Sequence, residues 1–267
     1  MKVVIVGCGW LGQQLAVDLI AQGYQVYASR RSSSALVNLP AGVTGFVLDL
    51  NMLADRSMLT PILHDAVVIC AITPGREQGQ QHYIPALQQL AELAVSAGSK
   101  QIIHFSSTGI YQGLQGSVDE TSPLQMTEHR VSLLWHGEQA LKSLTPLLTL
   151  RLAGLMGPGR HPGRFTAGKT LPDATAPVNM VHCADITAAV TLLLTVIPCA
   201  GVFNLCCPLT EKRQDFYTQA AISAGVTPAI FANDSSVGRK VSADKFVQQF
   251  HFSYRFASAS EALAYCN

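Results

Sequence analysis

The first twelve residues constrain the chain most. Val3-Val4-Ile5-Val6 is an unbroken run of β-branched residues, and it passes directly into Gly7-Cys8-Gly9-Trp10-Leu11-Gly12. Such a run favours a strand buried on both faces. Leu11, Leu15 and Leu19 then recur at the spacing of a helix turn, and Gly23 follows where that helix would end. A strand that breaks at the first glycine and enters a helix by the third leaves a tight turn of bare backbone. Gly7 suits the turn, Gly9 allows close approach of a ligand, and Gly12 lets the helix pack on the strand. The unpaired N–H groups of the helix start, Trp10 and Leu11 included, would face an anion. The motif therefore predicts a dinucleotide pyrophosphate held by Gly7, Gly9, Trp10, Leu11 and Gly12.

Strand-type runs at 25–29, 45–48, 67–72, 101–105 and 147–151 alternate with helix-period segments. One such segment starts near Pro85, carries Leu87, Leu90, Ala91 and Ala94 on one face, and stops at Gly98. Apolar strands separated by helices predict a doubly wound α/β fold with a parallel sheet, a Rossmann fold. The expected dinucleotide-binding domain spans 1–207. It is interrupted at 157–177 by an irregular excursion with four prolines and four glycines. A helix at 186–197 and a strand at 202–206 return to the sheet. Residues 208–267, with an amphipathic helix near 216–224, form a small C-terminal substrate lobe.

Composition removes several classes of function. Hydrophobic residues make up 48% and charged residues 13%, which predicts a compact globule. A formal net charge of +1 offers no field to nucleic acid or an anionic membrane, so neither is an expected partner. Seven cysteines without a C-x-x-C pair fit free thiols in a reducing cytoplasm. The apolar run at 186–197 is too short to cross a bilayer and ends at Pro198, so a soluble protein is expected. No histidine stands at convincing zinc spacing from Cys, Asp or Glu, so no metal site is expected.

The end of the second strand decides the cofactor. Ser29-Arg30-Arg31 stands where an NAD-binding fold places an acid for the ribose hydroxyl. A guanidinium fork grips a 2′-phosphate that a carboxylate would repel, so NADP(H) is expected, with NAD(H) the alternative. Asp49 and Leu50 follow the third strand, where an adenine-edge acceptor or a loop-capping aspartate are both readable. Ala71, Ile72 and Thr73 end the fourth strand on the carboxyl edge, where ligands of such sheets bind.

Further along come IIHFSSTGIY from Ile102 to Tyr111, Asp119-Glu120-Thr121-Ser122-Pro123, and Glu138-Gln139-Ala140-Leu141. LRLAGLMGPGR from Leu150 to Arg160, Asn179-Met180-Val181-His182-Cys183-Ala184-Asp185, Gly201-Val202-Phe203-Asn204-Leu205 and Gly238-Arg239-Lys240-Val241-Ser242 follow in order. Together they resemble the extended and atypical short-chain dehydrogenase/reductases, an epimerase/dehydratase-like group, over nearly the whole chain. The resemblance implies that Ser107 takes the place of the group's catalytic Ser/Thr and bonds a substrate oxygen. It also implies an acid/base tyrosine with a lysine four residues on. Aligned through Glu138, those positions hold Arg130 and Leu134, and no tyrosine of the chain has a lysine at that spacing.

An unperturbed tyrosine titrates near ~10, so the pair normally works because the cation favours phenolate. Arginine keeps its proton but can stabilise an oxyanion, and histidine, here His129, is the side chain type most often used to carry a proton. Ser107, Arg130 and His129 are thus the catalytic candidates. Two functions stay open. One is an NADP(H)-dependent oxidoreductase or epimerase-like enzyme acting on a small carbonyl, hydroxyl or nucleotide-sugar substrate. The other is a non-catalytic NAD(P)-binding sensor. The resemblance further implies a homodimer paired through helices flanking the sheet.

Overall fold

The computed structural model describes residues 1–52, 57–75, 77–142, 146–232 and 237–267. In chain order the elements begin β1 (Lys2–Val6), α1 (Trp10–Ala21), β2 (Gln25–Arg30), β3 (Thr44–Val47), α2 (Thr60–Leu63) and β4 (Val67–Cys70). They continue with α3 (Tyr83–Ser96), β5 (Gln101–Ser107), β6 (Gly116–Val118), α4 (His129–Ala140), β7 (Leu147–Leu152) and β8 (Gly154–Met156). Next come α5 (Pro162–Thr166), β9 (Thr170–Leu171), β10 (Met180–His182), α6 (Cys183–Thr195) and β11 (Gly201–Leu205). The chain closes with α7 (Arg213–Ala224), β12 (Ile230–Phe231), β13 (Arg239–Val241), α8 (Asp244–Phe250) and α9 (Ala259–Ala262).

Two compact units result. The first takes Met1–Ser107, His129–Leu150 and Val190–Val202; the second takes Thr108–Glu128, Arg151–Ala189 and Phe203–Asn267. The segment 208–267 lies wholly in the second unit, which also recruits 108–128, 151–189 and 203–207.

The central sheet has the order β11-β7-β5-β4-β1-β2-β3. β1 pairs in parallel with β2 on one side and β4 on the other, and β2 with β3 and β4 with β5 are parallel as well. The doubly wound α/β fold read from the sequence is the fold observed. The chain winds outward from β1 through β2 to β3, then crosses to β4 and proceeds the other way. The carboxyl ends of β1 and β4 therefore flank the switch point, where open α/β sheets bind ligands.

The β-branched run explains the centre of the sheet. Val3, Val4 and Ile5 are fully buried, as are Leu15, Ala16 and Leu19 on α1. On the opposite face Leu87, Leu90, Ala91 and Ala94 of α3 join Val4, Val68 and Ile102 in one core cluster. Each large side chain so enclosed contributes about 1.5–3 kcal/mol relative to exposure. Gly23, at φ +82, closes α1, as its position in the sequence predicts. β5 runs two residues beyond the predicted 101–105 and takes in Ser106 and Ser107; β4 stops at Cys70, which releases Ala71, Ile72 and Thr73 as a loop.

Among its described residues the second unit contains three short parallel pairs, β8 with β10, β9 with β12 and β6 with β13. The expected irregular excursion at 157–177 is only partly irregular, because it contains α5 and β9. Gly163 of α5 lies so close to the backbone of Ala220 on α7 that no Cβ would fit between them. Met156, Met180, Phe216, Phe256 and Cys266 form the core of this unit. Among the described residues no helix is long and apolar enough to cross a membrane.

Candidate functional site

Three strand ends meet at the first glycine. Gly7 has φ +85, its N–H donates to Ser29 Oγ at 3.1 Å, and an added Cβ would lie 3.2 Å from the carbonyl carbon and oxygen of Ala71. The end of β1 is thereby pressed against the ends of β2 and β4, and only glycine fits. Cys8 N–H donates to Ser29 O at 3.1 Å and Gly9 N–H to Gly7 O at 2.7 Å, which tightens the turn. Gly9 caps α1 without a side-chain bond. A Cβ there would find only Gly7 O, at 3.9 Å, so the space over the turn is open. Gly12 does the third task, since its Cβ would stand 3.2 Å from Ile5 Cγ2 and 3.3 Å from Cys8 Sγ. Trp10 is half-buried at the helix start and Leu11 is buried in the core.

The adjacent arginines differ. Arg30 is half-buried and its Nε is enclosed with no hydrogen-bond partner among the described residues, whereas Arg31 is exposed. Burial pushes the Cys8 thiol up to about 11, while the nearby Arg30 charge works against that rise. Arg30 ends β2 directly after Ser29, whose hydroxyl and carbonyl hold the glycine turn. Ser29, at 2% exposure, spends its hydroxyl on Gly7. Asp49 Oδ1 accepts from Asn51 N–H at 3.0 Å, so this aspartate caps its own turn, and Leu50 is buried in the core beside Leu59 and Leu63.

At the carboxyl end of β5 the two serines diverge. Alternate residues of a strand face opposite sides, so Ile102, His104 and Ser106 share one face and Ser107 belongs to the other. Ser106 Oγ donates to Glu138 Oε1 on α4 at 2.7 Å. Ser107, the last residue of β5, is half-buried. His129 and Arg130 are exposed in the first turn of α4, and Leu134, one turn later, is buried.

Sequence reasoning did not find the Ser106–Glu138 bond. Its signal was a carboxylate set among Val131, Leu134 and Leu141, which are the buried stripe of this segment.

Other titratable groups have structural duties. Tyr111 is fully buried in the second unit; its hydroxyl accepts from Arg151 Nη1 and donates to Asn204 Oδ1, each at 2.9 Å. Burial raises its phenol, against the pull of Arg151. His182 is buried, with one ring nitrogen facing Ala184 N–H at 3.1 Å and the other facing Tyr265 O at 3.2 Å. His104 is wholly enclosed, neither ring nitrogen is bonded among the described residues, and burial lowers it to about 4. Among the described residues no three His, Cys, Asp or Glu side chains are grouped so as to hold a metal ion.

Residues 3–205 match the model of the NAD dependent epimerase/dehydratase family. The chain belongs to that family. This epimerase/dehydratase-family chain is 36% identical to Protein YeeZ of Escherichia coli (strain K12) over 263 residues, 96% of either chain. Its fold is also that of MoeE5, solved in complex with UDP-glucose and NAD. The TM-score is 0.81 at 20% identity, over 100% of this chain and 97% of the other. A UDP-glucuronic acid 4-epimerase from Bacillus cereus, solved in complex with NAD, is similar at a TM-score of 0.80 and 18% identity, over 99% and 97% of the two chains.

Proposed function

We propose that this epimerase/dehydratase-family protein is an NADP(H)-dependent oxidoreductase or epimerase-like enzyme acting on a small carbonyl, hydroxyl or nucleotide-sugar substrate. One observation supports the cofactor preference: the enclosed Nε of Arg30, which has no partner among the described residues, one residue past the serine that holds the glycine turn. A buried guanidinium donor without a partner is costly unless an acceptor arrives, and a 2′-phosphate supplies one.

The residues fit a dinucleotide. The open space over Gly9 admits a pyrophosphate to the start of α1, where Gly7, Trp10, Leu11 and Gly12 complete the cradle. Ser29 and Arg30 would hold the ribose end, with Arg31 outside. Leu50 and the backbone near Asp49 would border the adenine, and Ala71, Ile72 and Thr73 would border the other half. The bound group supplies hydride transfer. Ser107 would then hold the substrate oxygen, Arg130 would oppose charge developing on it, and His129 would carry the proton. UDP-glucose and UDP-glucuronic acid head the substrates to try, because solved relatives are named with them or for them.

A second reading, an NAD(P)-binding sensor without catalysis, has one observation in its favour. Leu134 is buried and apolar at the position where the resemblance implies a lysine, so no cation stands there. A positioned acid/base contributes ~10²–10⁴-fold, which is the scale of turnover at stake. The test is a fluorescence titration of the purified protein with NADPH and NADH, followed by UDP-glucose, UDP-glucuronic acid, aldehydes and ketones. NADPH is expected to bind more tightly, with slow turnover of at least one substrate. Binding without turnover on the panel favours the sensor, and failure of both cofactors to bind at micromolar concentration overturns both readings.

A further inference from the structure

The sheet face covered by α3 and α4 encloses four polar side chains, all in the first unit. Tyr83 at the start of α3, His104 and Ser106 on β5, and Glu138 on α4 are exposed by 3%, 0%, 7% and 4%. Such groups are costly to bury unless they find partners, so an apolar set would be the simpler solution here. Ser106 and Glu138 find each other at 2.7 Å. The ring of Tyr83 packs on Gly137, next to Glu138 in α4, and His104 stands two residues before Ser106 on the same face of β5, so the four side chains lie on one side of that strand.

We propose that Glu138 is a positioning residue: through Ser106 it fixes the carboxyl end of β5, and with it Ser107, in register with α4. The inference rests on the reading above, in which the glycine turn holds a dinucleotide and Ser107 borders its reactive end. The sheet order supports that placement. From the switch point at β1 and β4, Arg30 lies on the side of β2, so the other half of the ligand extends towards β4 and β5.

The buried stripe of α4 shows why one bond matters. Val131 and Leu134 of α4, with Leu141 just beyond its end, contribute apolar packing, which has no preferred direction and sets a helix register only loosely. Glu138 alone in that stripe makes a directional bond to β5. Ser106 and Ser107 are consecutive, so a backbone rotation that breaks the first bond also re-aims the second side chain. Arg130 stands eight residues before Glu138 on the same helix, about 12 Å along its axis, so the tie governs its placement as well.

The test compares Ser106→Ala, Glu138→Leu and Glu138→Gln with wild type, with circular dichroism melts to check folding. Two probes are titrated: adenosine 2′,5′-bisphosphate, which reaches only the Arg30 half, and NADPH, whose emission reports the other half. S106A and E138L are expected to keep the bisphosphate affinity while losing about tenfold in NADPH affinity, since the competent arrangement is then populated only in part. Their bound NADPH should also lose the blue shift seen with wild type. Glu138→Gln keeps an oxygen that accepts from Ser106 and should restore NADPH to within about twofold. Unchanged NADPH affinity and emission in S106A and E138L, or equal loss of both probes, would overturn the positioning role. Should E138L fail to fold, S106A, which removes a single oxygen, decides by the same outcomes. Wild-type protein that binds neither probe overturns the cofactor reading itself and this inference with it.

Discussion

The ring of Tyr83 crosses α4 at Gly137, where an added Cβ would stand 2.5 Å from Cε1 and 3.0 Å from the hydroxyl oxygen. Glycine inside a helix costs about 1 kcal/mol relative to alanine, so the crossing explains a residue that propensity disfavours. Gly137→Ala is expected to destabilise the protein by about 1–3 kcal/mol, because overpacking outweighs the helix gain. A lower urea midpoint with an unchanged slope would show this. A higher midpoint would mean that Tyr83 moves aside freely.

Arg30 and Arg31 are neighbours in sequence but only Arg30 is half-buried. Arg30→Ala is expected to weaken NADPH by at least about tenfold, the scale of a bond between charged groups, and to leave NADH within about twofold. Arg31→Ala should do less. Calorimetric titration of both cofactors checks this, and equal losses for NADPH and NADH would count against a 2′-phosphate contact.

Two buried groups make opposing contributions to acid stability. Burial holds His104 at about 4 instead of 6.5, so its neutral form stabilises the fold above pH 6.5, and that stability is lost as pH falls towards 4. Burial raises the Asp185 carboxyl from 3.8 to about 6. The folded state then keeps that proton longer than the unfolded one, and stability is gained as pH falls from about 6 towards 3.8. Each effect is on the order of 3 kcal/mol. His104→Leu should therefore gain on wild type between pH 7 and 4.5, while Asp185→Asn should fall behind it over the same interval. Urea midpoints at the two pH values decide the matter; parallel pH profiles for wild type and both variants would contradict it.

Tyr111 sits beneath the guanidinium of Arg151, 5.3 Å from the ring centroid, and its hydroxyl serves both Arg151 and Asn204. Tyr111→Phe removes two buried bonds and is expected to cost about 1–3 kcal/mol in stability. NADPH affinity should be unchanged. A variant as stable as wild type would show that this network carries no weight.

What the sequence showed depended on distance along the chain. Gly7, Gly9 and Gly12 were legible because a turn without Cβ atoms is a local property, and the β-branched runs were legible for the same reason. The extension of β5 through Ser106 was not, since the partner that satisfies Ser106 lies 32 residues away. Gly163 reads as loop punctuation in a stretch rich in proline and glycine, yet its smallness answers to Ala220 on another helix. Asp49 was open to two readings, and the bond from Asn51 N–H to its Oδ1 shows the loop-capping one without spending Oδ2. Arg30 and Arg31 were equivalent as letters, and tertiary packing alone separates them.

β1 occupies the middle of the sheet, with Val3 between Val26 and Val67. Of these three strands β1 is made before both of its neighbours, so it must wait, half-clad, until Val67–Cys70 has been translated. During that interval its apolar run has one edge unpaired, and this is the stage of biosynthesis at which a chaperone would matter most.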